Sequence, residues 1–443
     1  MGSPEVRYLD PEFLTGYPLM VFQDMDNTVW IARLDPATGL LVTATGKDIL
    51  VDSNIVRLDS THQGPEWGLD RHGWAVFYTK YDAAGKRQIW RAEDSAGTMV
   101  RRQLTFSPNG NKAAFPSLDA SAAQIRIGFA NYDRGFLWAA VSYENDAMNY
   151  SFLPEYWHPS PGSRWSPGTD EVFYPFITQR SPDSVVQVAS FDLRSRKATV
   201  LSNDPGKKVE SWGFLAPEYG DELCVASQIE QSEIAIFRNV GSPDGFWARV
   251  ATLRMPPGEA HRYIFSMEPI CGMRGFGGTS YFSILAAAEN DNDSDGAMML
   301  LGLGVDSTRR FLRRVDEGAV SGVIAKRGEP ETWVGDSEVF FYYNSNGRLR
   351  RCRTGLLLRP TVTGEALPDR SGMEVYPNPA SAAVTIRVGT MSPQNISISD
   401  ILGRRYWAGE VTVSERVTVS HWPRGIYLVR NHQSQRNVVF LLP

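Results

Sequence analysis

The chain predicts an all-β protein, a large ring of repeated antiparallel units followed by a small β-sandwich, and three observations carry that expectation. Aromatic residues followed by turn chemistry recur through the first 350 or so positions. Short alternating strands fill the intervals between them. A Pro- and Gly-containing stretch from Leu356 to Arg370 then separates this region from a tail with its own strand pattern.

The recurrence sets the architecture. Phe13, Trp67, Trp165, Trp212 and Trp333 each stand beside turn-forming residues, with gaps of 54, 98, 47 and 121 residues. Two gaps are near double the others, and weaker copies around Phe115 and Pro269 fill them, giving seven units. Short-strand units of about 40 to 60 residues belong to β-propellers, in which four-stranded blades stack around a central channel. Six or eight blades would fit nearly the same spacing. Composition agrees: 42% hydrophobic residues supply a large core, while 39 Gly and 27 Pro supply turns.

Within the second unit the strands are legible as Ala75–Thr79, Gln88–Ala92 and Arg102–Thr105, with a turn at 82–85. Ring closure needs a strand to join the ends, since an open ring exposes two sheet edges. Glu5 to Leu9 alternates polar and apolar, and is expected to complete the last blade beside 339–343 and 349–353. The predicted domains are a propeller over 1–355, a linker over 356–371 and a sandwich over 372–443.

Two resemblances rest on quoted segments. GPEWGLDRHGWAVFYTKYDAAGKRQIW followed by RRQLT, residues 64–90 and 101–105, resembles a TolB-type propeller repeat, and Ser166-Pro167-Gly168 preserves part of that repeat's usual turn. The tail carries MEVYPNPASAAVTI, ISISDILGRRYW and VSHWPRGIYLVR in that order. These closely resemble the C-terminal sorting domain (type A) of the type IX secretion system, which Bacteroidota use to export proteins across the outer membrane. The resemblance implies a secreted or surface-attached protein that engages the secretion machinery through residues 372–443. Such proteins begin with a Sec signal peptide, and Met1 to Leu14 is not one. The start therefore reads as that of a mature protein or of a truncated frame.

Charge and cysteine usage narrow the partners. A net charge of -5 without a basic stripe argues against nucleic acid, and no 18-residue apolar run is long enough to span a membrane. Cys224, Cys271 and Cys352 are far apart and too few for a disulfide framework, so buried thiols are expected.

Innermost strands of a propeller line one channel, so side chains near the start of each repeat converge. Asp10, Glu12, Glu66, Glu210, Glu268 and Glu331 hold such positions. Convergent carboxylates can ligate Ca²⁺, act as acid and base on a glycosidic bond, or accept backbone N–H groups. His62, close before Glu66, is a candidate general base beside Glu12, Glu66, Glu268 and Glu331, and Arg164 a candidate clamp for a uronate carboxylate. His72 and His158 are weaker candidates, each suited equally to an interblade hydrogen bond.

Asp291, Asp293 and Asp295 alternate before Gly296 and could wrap a structural Ca²⁺, although the acidic residue that would close a twelve-residue loop is Gly302 instead. No organic cofactor is expected: Walker, HExxH, CxxC and nucleophile-elbow motifs are absent, and Gly275 to Gly278 opens no helix. Trp30, Trp74, Trp138, Tyr156 and Trp157 could stack on sugars, though propeller aromatics more often pack between blades.

The sequence thus supports an exported propeller that binds, and in an enzymatic version cleaves, an extracellular polysaccharide by a lyase or glycosidase route. Alternatives are a Ca²⁺-dependent ester, phosphotriester or lactone hydrolase acting on a small substrate, and a non-catalytic glycan- or protein-binding module.

Overall fold

The computed structural model describes residues 6–14, 16–58, 64–95, 97–119, 122–131, 137–144, 147–152, 164–166, 171–177, 185–242, 244–270, 279–288, 296–303, 311–316, 327–336, 338–345, 348–357, 373–376, 383–388, 394–400, 404–412, 414–433 and 437–442. The chain forms two compact units, Met1–Glu93 with Met99–Leu358 and Asp94–Thr98 with Arg359–Pro443. Cys271, His62, His158 and the 291–295 loop lie outside the described residues.

Among the described residues, the first unit is a β-propeller of seven antiparallel sheets, six with four strands and the last with three. Its innermost strands are Leu9–Phe13, Glu66–Asp70, Asn111–Pro116, Arg164–Trp165, Lys208–Ala216, Tyr263–Pro269 and Arg327–Val334. Each of the seven residues that mark the repeat in the sequence lies on one of these strands. They are large and apolar because they fill the seams between neighbouring blades. Phe13 stacks on Tyr342, and Phe214 of the fifth blade meets Phe282 of the sixth edge to face. The indoles do a second job. Trp67 donates Nε1–H to the carbonyl of Glu12 at 3.0 Å, Trp165 to that of Phe115 at 2.8 Å, and Trp333 to that of Tyr17 at 2.8 Å. Each bond ties one blade to its neighbour through an apolar ring that keeps its polar atom satisfied.

Closure differs from the sequence expectation. Leu9 opens the innermost strand of the first blade, pairing with Gln23, and Val6 to Tyr8 form no strand; Glu5 is outside the described residues. The last blade ends on Arg348–Leu357 as its outer strand. Side chains close the ring. Asn344 donates to the Tyr8 carbonyl and Tyr342 to the Gly39 carbonyl, while Tyr8, Phe13, Phe22, Trp333, Phe340 and Tyr342 share one buried cluster.

In the second blade the outer strand runs Thr98–Gln103 and stops before Leu104 and Thr105, two residues short of its expected end. Thr105 Oγ1 accepts the Ile89 N–H and donates to Gln88, so a side chain takes over from the ladder there. Cys224 and Cys352 are free thiols, the first fully buried.

The second unit is a sandwich of two sheets. Met373–Tyr376, Ala383–Val388 and Ser414–Thr418 form one, and Arg405–Val411, Gln394–Asp400, Gly425–Asn431 and Asn437–Leu442 the other. Alternating apolar residues from both, including Val384, Ile386, Ile398, Val429 and Phe440, close a core with Trp422 and Tyr427 at one end. The Asp400–Arg404 turn is held by Arg404 N–H and Nε bonds to the Asp400 carboxylate.

Candidate functional site

The acids reach the axis because the inner strands are irregular. Ladder register shifts between Leu9 and Glu12, between Lys208 and Ser211, and between Gly328 and Glu331. A bulge adds a residue and re-aims side chains, which turns Asp10, Glu12, Glu210 and Glu331 inward while Phe13, Trp212 and Trp333 stay in the seams. Asp10 sits inside the first bulge at φ 48°, a left-handed conformation that aspartate tolerates better than most residues. Its carboxylate accepts the Gly64 N–H, and a Cβ on Gly64 would meet Asp10 Oδ2 at 2.8 Å, so only glycine fits this approach.

Five blades therefore deliver Asp10, Glu12, Glu66, Glu210, Glu268 and Glu331 to one region of mutual electrostatic contact, and the fourth blade adds Arg164. Each carboxylate but Glu331 keeps a partial opening toward the axis; Glu331 is 8% exposed. Protein surrounds them on their other sides. Burial accordingly drives the protonation equilibria, with neighbouring acids adding to it. It holds Glu12 and Glu331 well above the ordinary carboxylate range, and it pushes Glu268 up to about 7. Asp10 and Glu210 are also raised by burial, against the opposing pull of Arg164 and, for Asp10, of the Gly64 N–H.

Glu268 and Glu331 act on each other directly, an interaction that raises Glu331 and lowers Glu268, so within the pair Glu331 is the stronger holder of a proton. Arg164 lies between the rings of Phe115 and Trp212, 4.6 and 4.4 Å from their centroids, with Nη2 3.6 Å from Glu210 Oε1. The guanidinium expected to clamp a substrate carboxylate is thus engaged with a protein carboxylate and two aromatic faces. Flat cation–π stacking fixes its plane and points its charge at the acids.

Among the described residues no group of three His, Cys, Asp or Glu side chains could hold a metal ion. His72 lies on the exposed tip of its hairpin, its ring accepting from Arg71 Nε, at the far end of the strand from Glu66. Trp30 is half-buried under Lys47 with Nε1 bonded to Asp24, and Trp74, half-buried, meets Trp67 in a T-shaped contact.

Sequence reading did not single out a cavity of about 400 Å³ between the fifth and sixth blades, lined by Lys207, Val209, Glu230, Gln231, Ser232 and Tyr263. Tyr263 on its inner strand was the available signal, being an aromatic at a repeat start without a seam to fill.

Residues 374–440 match the family described as the secretion system C-terminal sorting domain. The C-terminal unit carries a type IX sorting domain. The sorting domain indicates secretion or surface attachment and implies the secretion machinery as a partner. Among the described residues no helix is long and apolar enough to cross a membrane. No curated protein sequence matches the chain. Solved structures similar to it include the β-propeller domain of Myceliophteria thermophila Cps50 (Swd1), at 13% identity and TM-score 0.45, covering 79% of this chain and 97% of that one. The periplasmic gluconolactonase PpgL of Pseudomonas aeruginosa matches at 12% and 0.43, over 80% and 98% of the two chains. A fungal alcohol oxidase of the AA5 family, in complex with copper, matches at 11% and 0.43, over 100% and 97%.

Proposed function

We propose that the exported propeller binds a neutral or cationic extracellular polysaccharide at its axis and hydrolyses it by acid–base catalysis. The feature that carries this reading is the pair of raised carboxyls, Glu268 and Glu331, inside a ring of acids whose one described cationic neighbour, Arg164, already faces Glu210. A carboxylic acid that keeps its proton near neutral pH is what a glycosidic oxygen needs in order to leave. Glu268 protonates that oxygen as the bond to the anomeric carbon breaks. Glu210, whose burial-driven rise Arg164 opposes, takes a proton in its ionised form from the attacking water, whose oxygen completes the hemiacetal. Asp10, Glu12 and Glu66 shape the site around the sugar.

A uronate lyase is disfavoured because Arg164, the cation described at the ring, is engaged with Glu210 and two aromatic rings. The test is reducing-end release from a panel of neutral polysaccharides. Wild-type protein should release reducing ends, and Glu268→Gln should lose about 100-fold or more in kcat with unchanged folding. Retention on a polysaccharide column with no products would instead make the protein a binding module. Unsaturated uronate products, or chelator-sensitive ester or lactone turnover untouched by Glu268→Gln, would overturn the glycosidase reading.

A further inference from the structure

The cavity between the fifth and sixth blades opens at the end of the ring where the inner strands begin. Lys207 and Val209 lead into the inner strand of the fifth blade, Glu230 to Ser232 form the turn between its second and third strands, and Tyr263 starts the inner strand of the sixth. Its walls are pinned across the blade boundary. Ile264 N–H donates to the Gln231 carbonyl at 2.9 Å, and the buried Gln228 amide donates to the carbonyls of Ile264 at 2.7 Å and Glu230 at 2.9 Å. Glu230 N–H donates to the Lys207 carbonyl at 2.7 Å, with Glu230 held at φ 52°. These bonds hold the walls of an open depression of about 400 Å³ whose lining side chains are exposed or half-buried.

The lining selects a ligand class. It offers one aromatic ring, with Arg262 over one of its faces at 5.3 Å, one aliphatic side chain, an amide, a hydroxyl, the Lys207 cation and the Glu230 anion. That combination suits a sugar residue, with apolar ring faces and a rim of hydroxyls that need both donors and acceptors. The place fits too. Val209 adjoins Glu210, and Tyr263 precedes Glu268 by five residues on one strand, roughly 16 Å along it. An oligosaccharide can span that interval.

We propose that this cavity is a remote subsite for a neutral glycan chain, stacking a sugar on Tyr263 while the chain runs to the axial acids. The proposal rests on the hydrolase reading above for its substrate class. The experiment uses the full chain with cellohexaose, xylohexaose, mannohexaose and maltohexaose, and with the aryl glycoside of the matching monosaccharide. Tyr263→Ala should raise KM for the hexaose roughly tenfold, leave kcat and the aryl glycoside unchanged, and be rescued by Tyr263→Trp. Ser232→Trp, which fills the cavity, should give the same KM effect. Unchanged KM in both variants, with turnover still abolished by Glu268→Gln, sinks the subsite alone. Hexaose binding that depends on Tyr263 without any turnover leaves the subsite standing and removes the hydrolase. Competition by a peptide, and by none of the sugars, would overturn the ligand class.

Discussion

Glu268 and Glu331 stand on neighbouring blades, and their carboxyls act on each other so that Glu331 is raised and Glu268 lowered, while burial, the larger cause, raises both. Folding therefore retains protons that the unfolded chain gives up near the ordinary glutamate pKa. The unfolded Glu268 loses its proton near 4.5, whereas the folded one keeps it to about 7. Between those values the native state binds more protons, and stability falls as pH rises. For Glu268 the effect is at most about 3 kcal/mol, less a discount for its partial exposure. Thermal unfolding should show Tm dropping from pH 5 to pH 8; a rise over that interval would contradict the protonated cluster.

Glu331→Gln replaces the acid that burial holds neutral with an isostere that is always neutral. At pH 8 it should raise Tm by a few degrees, and at pH 5 the change should be small. A stabilisation equal at both pH values would point to packing instead of charge.

Arg164→Met should cost about 3 kcal/mol at pH 8, where it strands Glu210 among other acids, and clearly less at pH 5. Denaturant titrations at the two pH values separate this from loss of the contacts to Phe115 and Trp212, which would cost the same at both.

Ring closure depends on Trp333. Trp333→Phe keeps the seam apolar and loses one hydrogen bond to Tyr17, at about 1 kcal/mol, whereas Trp333→Ala should cost about 3 to 5 kcal/mol through the cavity it leaves. Equal losses in equilibrium unfolding would mean that the indole bond carries the whole effect.

Removing residues 374–440 should leave the protein cell-retained in a host with type IX secretion while the propeller's circular dichroism persists. Efficient release of the truncated chain would show that export uses another signal.

Much of the site was legible because repetition is visible along a chain. The residues that mark each unit lie on innermost strands, and an acid one or two places before four of them, at Glu12, Glu66, Glu210 and Glu331, reaches the axis with Asp10 and Glu268. The engagement of Arg164 was not legible. Its partners Phe115, Trp212 and Glu210 come from two other blades, and nothing in the sequence around Arg164 registers them. The cavity beside Tyr263 was hidden for the same reason, since its walls come from turns and strand starts of two sheets.

The sequence by itself determined the repeat, the all-β class and the export tail, because period and motif are local properties that survive without coordinates. Only the tertiary structure decided how the ring closes, that burial raises Glu268 and Glu331, and that Arg164 answers to Glu210. Those outcomes depend on which side chains meet across blade boundaries and how much water remains around them, and both are set by packing in three dimensions.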